Sequence, residues 1–116
     1  MKTLKDELLA AKQFADKTNF EFYLYETGGN CTAIYAETAT HEIYITNNDA
    51  EVPAANEITM LGIYLKLDAG QVCEIWTDTR TKLMKLFTTI NAPTLDHLVR
   101  ELINHKNNQL TKKDNN

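Results

Sequence analysis

The sequence predicts a two-layer α+β domain: a five-stranded antiparallel sheet with one N-terminal and two C-terminal helices packed on one of its faces. Three observations lead there. Apolar residues recur at helical spacing at both ends of the chain. Between Phe20 and Thr77 the spacing changes to period two, interrupted by Gly-, Asn- and Asp-containing stretches. Within those alternating runs the aromatic types sort by parity, tyrosine to one side and phenylalanine to the other. The order helix, strands, helices is that of an α+β fold.

The first helix is expected over residues 3–17. Thr3 caps it, Asp6 and Glu7 suit its positive end, and Leu4, Leu8, Ala11 and Ala15 form its stripe, edged by Leu9 and Phe14. Phe20 to Glu26 then alternates as the first strand. A three-residue loop at Gly28-Gly29-Asn30 leads into a second strand, Cys31 to Thr38, and a third follows at Glu42 to Thr46. This register pairs Tyr23 with Tyr35, Ala36 with Ile43 and Ile34 with Ile45. It gathers the Phe, Leu and Ile side chains on one face, and a slip of one residue would mix them.

Residues 47–56 read as a loop interrupted by Pro53, with room for a turn of helix at Ala54-Ala55 or a crossing to another sheet edge. Glu57 to Leu67 is the expected fourth strand, with Leu61, Ile63, Leu65 and Leu67 facing the core. A three-residue loop at Asp68-Ala69-Gly70 then leads to the fifth, Gln71 to Thr77. That loop pairs Leu65 with Cys73, Ile63 with Ile75, Tyr64 with Glu74 and Gly62 with Trp76. Asp78 or Thr79 caps the second helix, carrying Leu83, Leu86, Phe87 and Ile90, and Pro93 ends it. Thr94 caps the third, with the stripe Leu95, Leu98, Val99, Leu102 and Ile103. Residues 1–106 form the domain and 107–116 a flexible polar tail.

All five tyrosines, Tyr23, Tyr25, Tyr35, Tyr44 and Tyr64, with the lone Trp76, fall on the face that the helices leave uncovered. Glu21, Glu37, Glu42 and Glu74 interleave with them. These ten residues are the candidate partner-binding set: rigid rings with few rotamers to freeze, and carboxylates suited to Arg and Lys. Tyr35 and Tyr44 are expected to tolerate serine without loss of folding.

The net charge of −4 sharpens this expectation, because residues 106–116 carry +2 and the body therefore −6. An acidic body repels phosphate and favours a basic protein partner. The expected function is a non-enzymatic protein-interaction module, a small acidic inhibitor or adaptor of the kind that phages and mobile elements encode. The alternative is a small-ligand or single-stranded nucleic-acid binder using the same rings, with Lys66 the one basic residue on that face. In element order alone the chain resembles dimeric secretion chaperones, which implies a homodimer; self-association through the aromatic face is a further version of the surface reading.

Other constellations carry less. His97, Glu101 and His105 share one side of the third helix and read as a solvated face, not a metal site. His41 reads as a turn residue. Cys31 and Cys73 read as buried thiols of a reducing compartment. No glycine-rich phosphate loop or nucleophilic set is present, so neither an enzyme nor a cofactor is expected. The start, Met1-Lys2-Thr3-Leu4-Lys5, leads into a charged amphipathic segment and not a secretory leader, and no apolar run is of membrane length. A cytoplasmic protein follows.

Overall fold

The computed structural model describes residues 3–29 and 31–114. Its elements are α1 (Leu4–Thr18), β1 (Tyr23–Gly28), β2 (Cys31–Glu37), β3 (His41–Thr46), β4 (Thr59–Leu65), β5 (Gln71–Thr77), α2 (Arg80–Ile90) and α3 (Leu95–Asp114). The five strands form one antiparallel sheet in the order β1-β2-β3-β4-β5. Each strand pairs with its neighbour in sequence, so the 47–58 connection does not carry the chain to another edge. The three helices pack on one face. α3 runs on to Asp114, through the polar stretch expected as a tail.

The first three strands pair as the segregated register requires. Tyr23 faces Tyr35, Ile34 faces Ile45 and Ala36 faces Ile43. The first turn is built otherwise than expected. Gly28 belongs to β1 and pairs with Cys31, and the ladder shifts between Glu26 and Gly28, leaving Thr27 as a bulge residue. That bulge supplies the extra residue that a longer loop would have supplied. Gly28 and Gly29 take φ of 113° and 57°, which glycine adopts without strain. The third residue of the expected loop, Asn30, lies outside the described residues.

The β4–β5 pairing differs from expectation by two residues. Ile63 faces Cys73, Leu61 faces Ile75, Gly62 faces Glu74 and Met60 faces Trp76, while Tyr64 faces Gln71. The cause is an early end to β4. β4 ends at Leu65, whose N–H donates to Gly70 O at 2.7 Å and closes the turn into β5. Asp68 accepts the Gly70 N–H at 3.0 Å, and Ala69 takes a left-handed φ of 56°. Leu67 is consequently 99% exposed and does not join the core face. A shift of two residues leaves residues 60–64 and 73–76 on their expected faces, because strand side chains alternate with period two.

The core lies between the helices and the Ile/Leu face. Ile34, Ile43, Ile45, Leu61, Ile63 and Ile75 meet Phe14, Leu83, Phe87, Leu98, Val99 and Leu102. Phe14 sits at the centre, its ring 5.6 Å from Phe22 and 5.5 Å from Phe87. This contact also sets the rotation of α1. The helix buries Ala10, Ala11 and Phe14, whereas Leu4, Leu8 and Leu9 are exposed, contrary to the expected leucine stripe. The largest ring takes the slot and the small alanines allow close approach. Thr3 and Asp6 form a reciprocal capping box at the start of α1, and Thr79 and Thr94 cap α2 and α3.

Between β3 and β4, Asn47 Oδ1 accepts the N–H groups of Asp49 and Glu51 at 2.8 and 2.9 Å, and Glu57 accepts that of Ala54 at 2.6 Å. Residues 54–57 make a turn, not helix. Arg80 ties this connection to the helical layer. Buried at the start of α2, it donates at 2.7 Å to Pro53 O and at 2.7 Å to Gln13 Oε1 on α1, while its Nε has no partner. Burial lowers the pKa of the guanidinium from its ordinary value.

Candidate functional site: the tyrosine face of the sheet

Opposite the helices, the alternation of β1 to β5 brings all the expected site residues to one face, since residues two apart in a strand point the same way. They do not form a uniform exposed platform. Tyr25, Tyr35, Tyr44 and Tyr64 form a contiguous cluster. Tyr25 stacks on Tyr35 at 4.9 Å, Tyr35 meets Tyr44 edge to face at 5.1 Å, and Tyr44 meets Tyr64 in the same way at 5.6 Å. Such offset and edge contacts suit the ring quadrupoles. Tyr23 and Trp76 stand outside the cluster, about half exposed at 49% and 50%.

Tyr35 departs from the expected exposure. It retains only 7% of its surface, covered by the flanking rings, so it is a structural member of the face and serine there would remove the centre of the stack. Gly62 shows the same self-covering. The Tyr64 ring folds over it so closely that a Cβ at residue 62 would lie 2.8 Å from Tyr64 Cε2. The ring that covers this glycine therefore comes from its own strand, while Trp76 faces Met60.

The glutamates follow a rule that the sequence carries in plain form. Each lies two residues from an aromatic on the same strand or its approach, and each accepts from that side chain. Glu21 takes the Tyr23 hydroxyl, and Glu74 the Trp76 indole N–H at 3.3 Å. The Tyr35 hydroxyl lies 2.7 Å from Glu37 Oε2 and 2.6 Å from Glu42 Oε2, and its single proton serves one of them at a time. Tyr44 makes a long contact of 3.5 Å to the same Glu42 oxygen.

These contacts shift the phenols. Burial, then the bonds to Glu42 and Glu37, pushes Tyr35 far above its usual range. Burial and the Glu42 charge push Tyr44 up to about 12. Tyr23 is raised by its bond to Glu21. Glu37 is held below the usual carboxylate range, first by the Tyr35 hydroxyl and then by Lys66, whose Nζ lies 3.1 Å away.

Lys66 is thus the one cation of the face among the described residues and is committed to Glu37. Glu42 has no cationic partner among the described residues. It forms part of an open hollow of about 510 Å³ whose aromatic walls are Tyr25, Tyr44 and Tyr64. Met60, Thr27 and Thr46 extend it, and Ala50 and Ala69 form its rim. Both alanines take left-handed backbone conformations, with φ of 61° and 56°. Strand parity already places Met60 on this face. The loop alanines carry no signal that marks them as rim residues.

The remaining candidates do not converge. Both cysteines are free and half-buried, and burial raises Cys73 from its ordinary value. His97 Nε2 lies 3.9 Å from Glu101 Oε1 on α3. Among the described residues, no group of three or more His, Cys, Asp or Glu would hold a metal ion, and no helix is long and apolar enough to cross a membrane. Comparison of the chain with protein-family models, curated proteins and solved structures gives no match.

Proposed function

We propose that the protein is a non-enzymatic interaction module that binds a basic protein partner through the Tyr/Trp/Glu face of its sheet. The observation that carries this reading is the hollow on that face, where tyrosine rings surround Glu42, a carboxylate with no cation of its own among the described residues. Exposed Tyr23 and Trp76 flank it with rigid contact area, each tethered by a glutamate. Rings that are already ordered lose little entropy on binding. A small acidic module of this type would act in the cytoplasm as an inhibitor or adaptor.

The acidic surround makes the other uses of the face less favourable. Two copies meeting face to face would oppose glutamates with glutamates, and a nucleic acid would bring phosphates to them. The test compares host proteins retained by tagged wild-type protein, by Tyr23→Ser/Trp76→Ser, and by Lys85→Glu/Arg100→Glu on the helices, with folding of each checked by circular dichroism. Loss of the retained protein in the sheet variant alone is the expected result. Loss in the helix variant alone would refute the assignment of the face. Retention of RNA that falls steeply with salt would favour base stacking on the same rings.

A further inference from the structure

We infer that the hollow between Tyr25, Tyr44 and Tyr64 is a receptor for one arginine side chain of the partner, with Glu42 as its counter-ion. This rests on the proposed function and specifies the group that the face reads. The three rings present surfaces in different directions, since Tyr25 and Tyr64 stand at 76° and 83° to Tyr44. A cation seated in the open hollow lies against rings of differing orientation, and a ring quadrupole attracts positive charge over its face. Glu42 Oε2 already accepts from Tyr35, while no described residue donates to its Oε1. The hollow therefore holds a negative charge with an open acceptor site.

Shape and chemistry choose among cations. A guanidinium is planar and weakly hydrated, so it can lie on one ring and still direct its edge N–H groups at a carboxylate. An ammonium has no face with which to stack. A trimethylammonium group needs rings closed around it and has no hydrogen to give Glu42. The hollow is open and, at about 510 Å³, has room for an extended side chain whose backbone stays outside. Among the described residues, neither Lys66 nor Arg80 fills the site. Lys66 is bound to Glu37 and Thr38 O, and Arg80 is buried at the start of α2, bonded to Pro53 O and Gln13.

The test uses four capped pentapeptides, Gly-Gly-X-Gly-Gly, with X as arginine, lysine, trimethyllysine or glutamine. Binding to the full-length protein is followed through the tyrosine ring resonances. The arginine peptide should bind at about millimolar strength, move the Tyr25, Tyr44 and Tyr64 signals, and leave Tyr23 unmoved. Glu42→Gln should weaken it about tenfold, as expected for one charge-assisted contact. Tyr64→Leu, which removes a half-buried ring at the margin of the cluster, should weaken it by a similar factor.

Tighter binding of trimethyllysine than arginine, or indifference to Glu42→Gln, would overturn the inference. So would a doubling of solution mass that Arg100→Gln abolishes, since the arginine would then come from a second copy. Capture of a basic partner that depends on Tyr23 and Trp76 but survives Glu42→Gln would overturn the hollow while leaving the face reading intact.

Discussion

Replacing Tyr35 with phenylalanine removes one oxygen and keeps the ring, so it isolates the hydroxyl held between Glu37 and Glu42. Two short contacts, 2.7 and 2.6 Å, meet at that oxygen. Only one proton is available, so the loss is that of one hydrogen bond to a charged acceptor, about 1.5–3 kcal/mol when nothing replaces it. Here replacement is partial. Glu37 retains Lys66 at 3.1 Å, and Glu42 borders an open hollow that water can enter. The net cost should fall to about 1–1.5 kcal/mol at neutral pH, or a melting point lower by several degrees.

The pH dependence gives a second check. Because the Tyr35 hydroxyl is the main cause of the lowered Glu37 pKa, its stabilisation is present above the ordinary carboxylate range and is lost as pH falls through the folded-state value. Urea unfolding of wild type and Tyr35→Phe, at neutral pH and at about pH 3, reads both effects. A difference of the same size at both pH values would refute the charged hydrogen bond. No difference at neutral pH would refute the contact itself.

At the alkaline end, stability should hold to about pH 10 and then decline through about pH 12, because burial and Glu42 favour the neutral form of Tyr44 in the folded state. Tyr44→Phe should decline less steeply, and urea midpoints running parallel to wild type would show that this phenol ionises as in solvent. Arg80→Ala strands the buried Pro53 carbonyl, at a cost of about 1–3 kcal/mol, partly offset by removing a guanidinium whose Nε lacks a partner. A lowered urea midpoint is expected, non-additive with Gln13→Ala, and simple additivity would refute the three-way tie.

The assignment of side chains to faces was legible because it depends on parity alone. The Thr27 bulge and the two-residue offset of β4–β5 both preserve parity, so every tyrosine and glutamate reached its expected side although two turns were misjudged. α1 was harder to read. Hydropathy ranks Leu4 and Leu8 above Ala10 and Ala11, yet the fit of Phe14 between Phe22 and Phe87 decides which side of the helix turns inward. The burial of Tyr35 was not legible, because it comes from rings on neighbouring strands. Nor was the hollow, whose rim depends on backbone conformations at Ala50 and Ala69 that alanine rarely adopts.

A meander of five strands ends in two free edges, β1 and β5. Both register irregularities lie in the outermost ladders, and in each the extra residue belongs to the edge strand itself: Thr27 in β1 and Val72 in β5. A bulge bends and twists its strand and breaks the regular row of N–H and C=O groups that another chain would need as a template. The Thr27 bulge, which sets the side to which Tyr23 and Tyr25 point, thus also makes the β1 edge a poor template for another chain. An exposed sheet bearing so many aromatics invites edge-to-edge pairing, and the irregular edges oppose it while leaving those rings presented on the face.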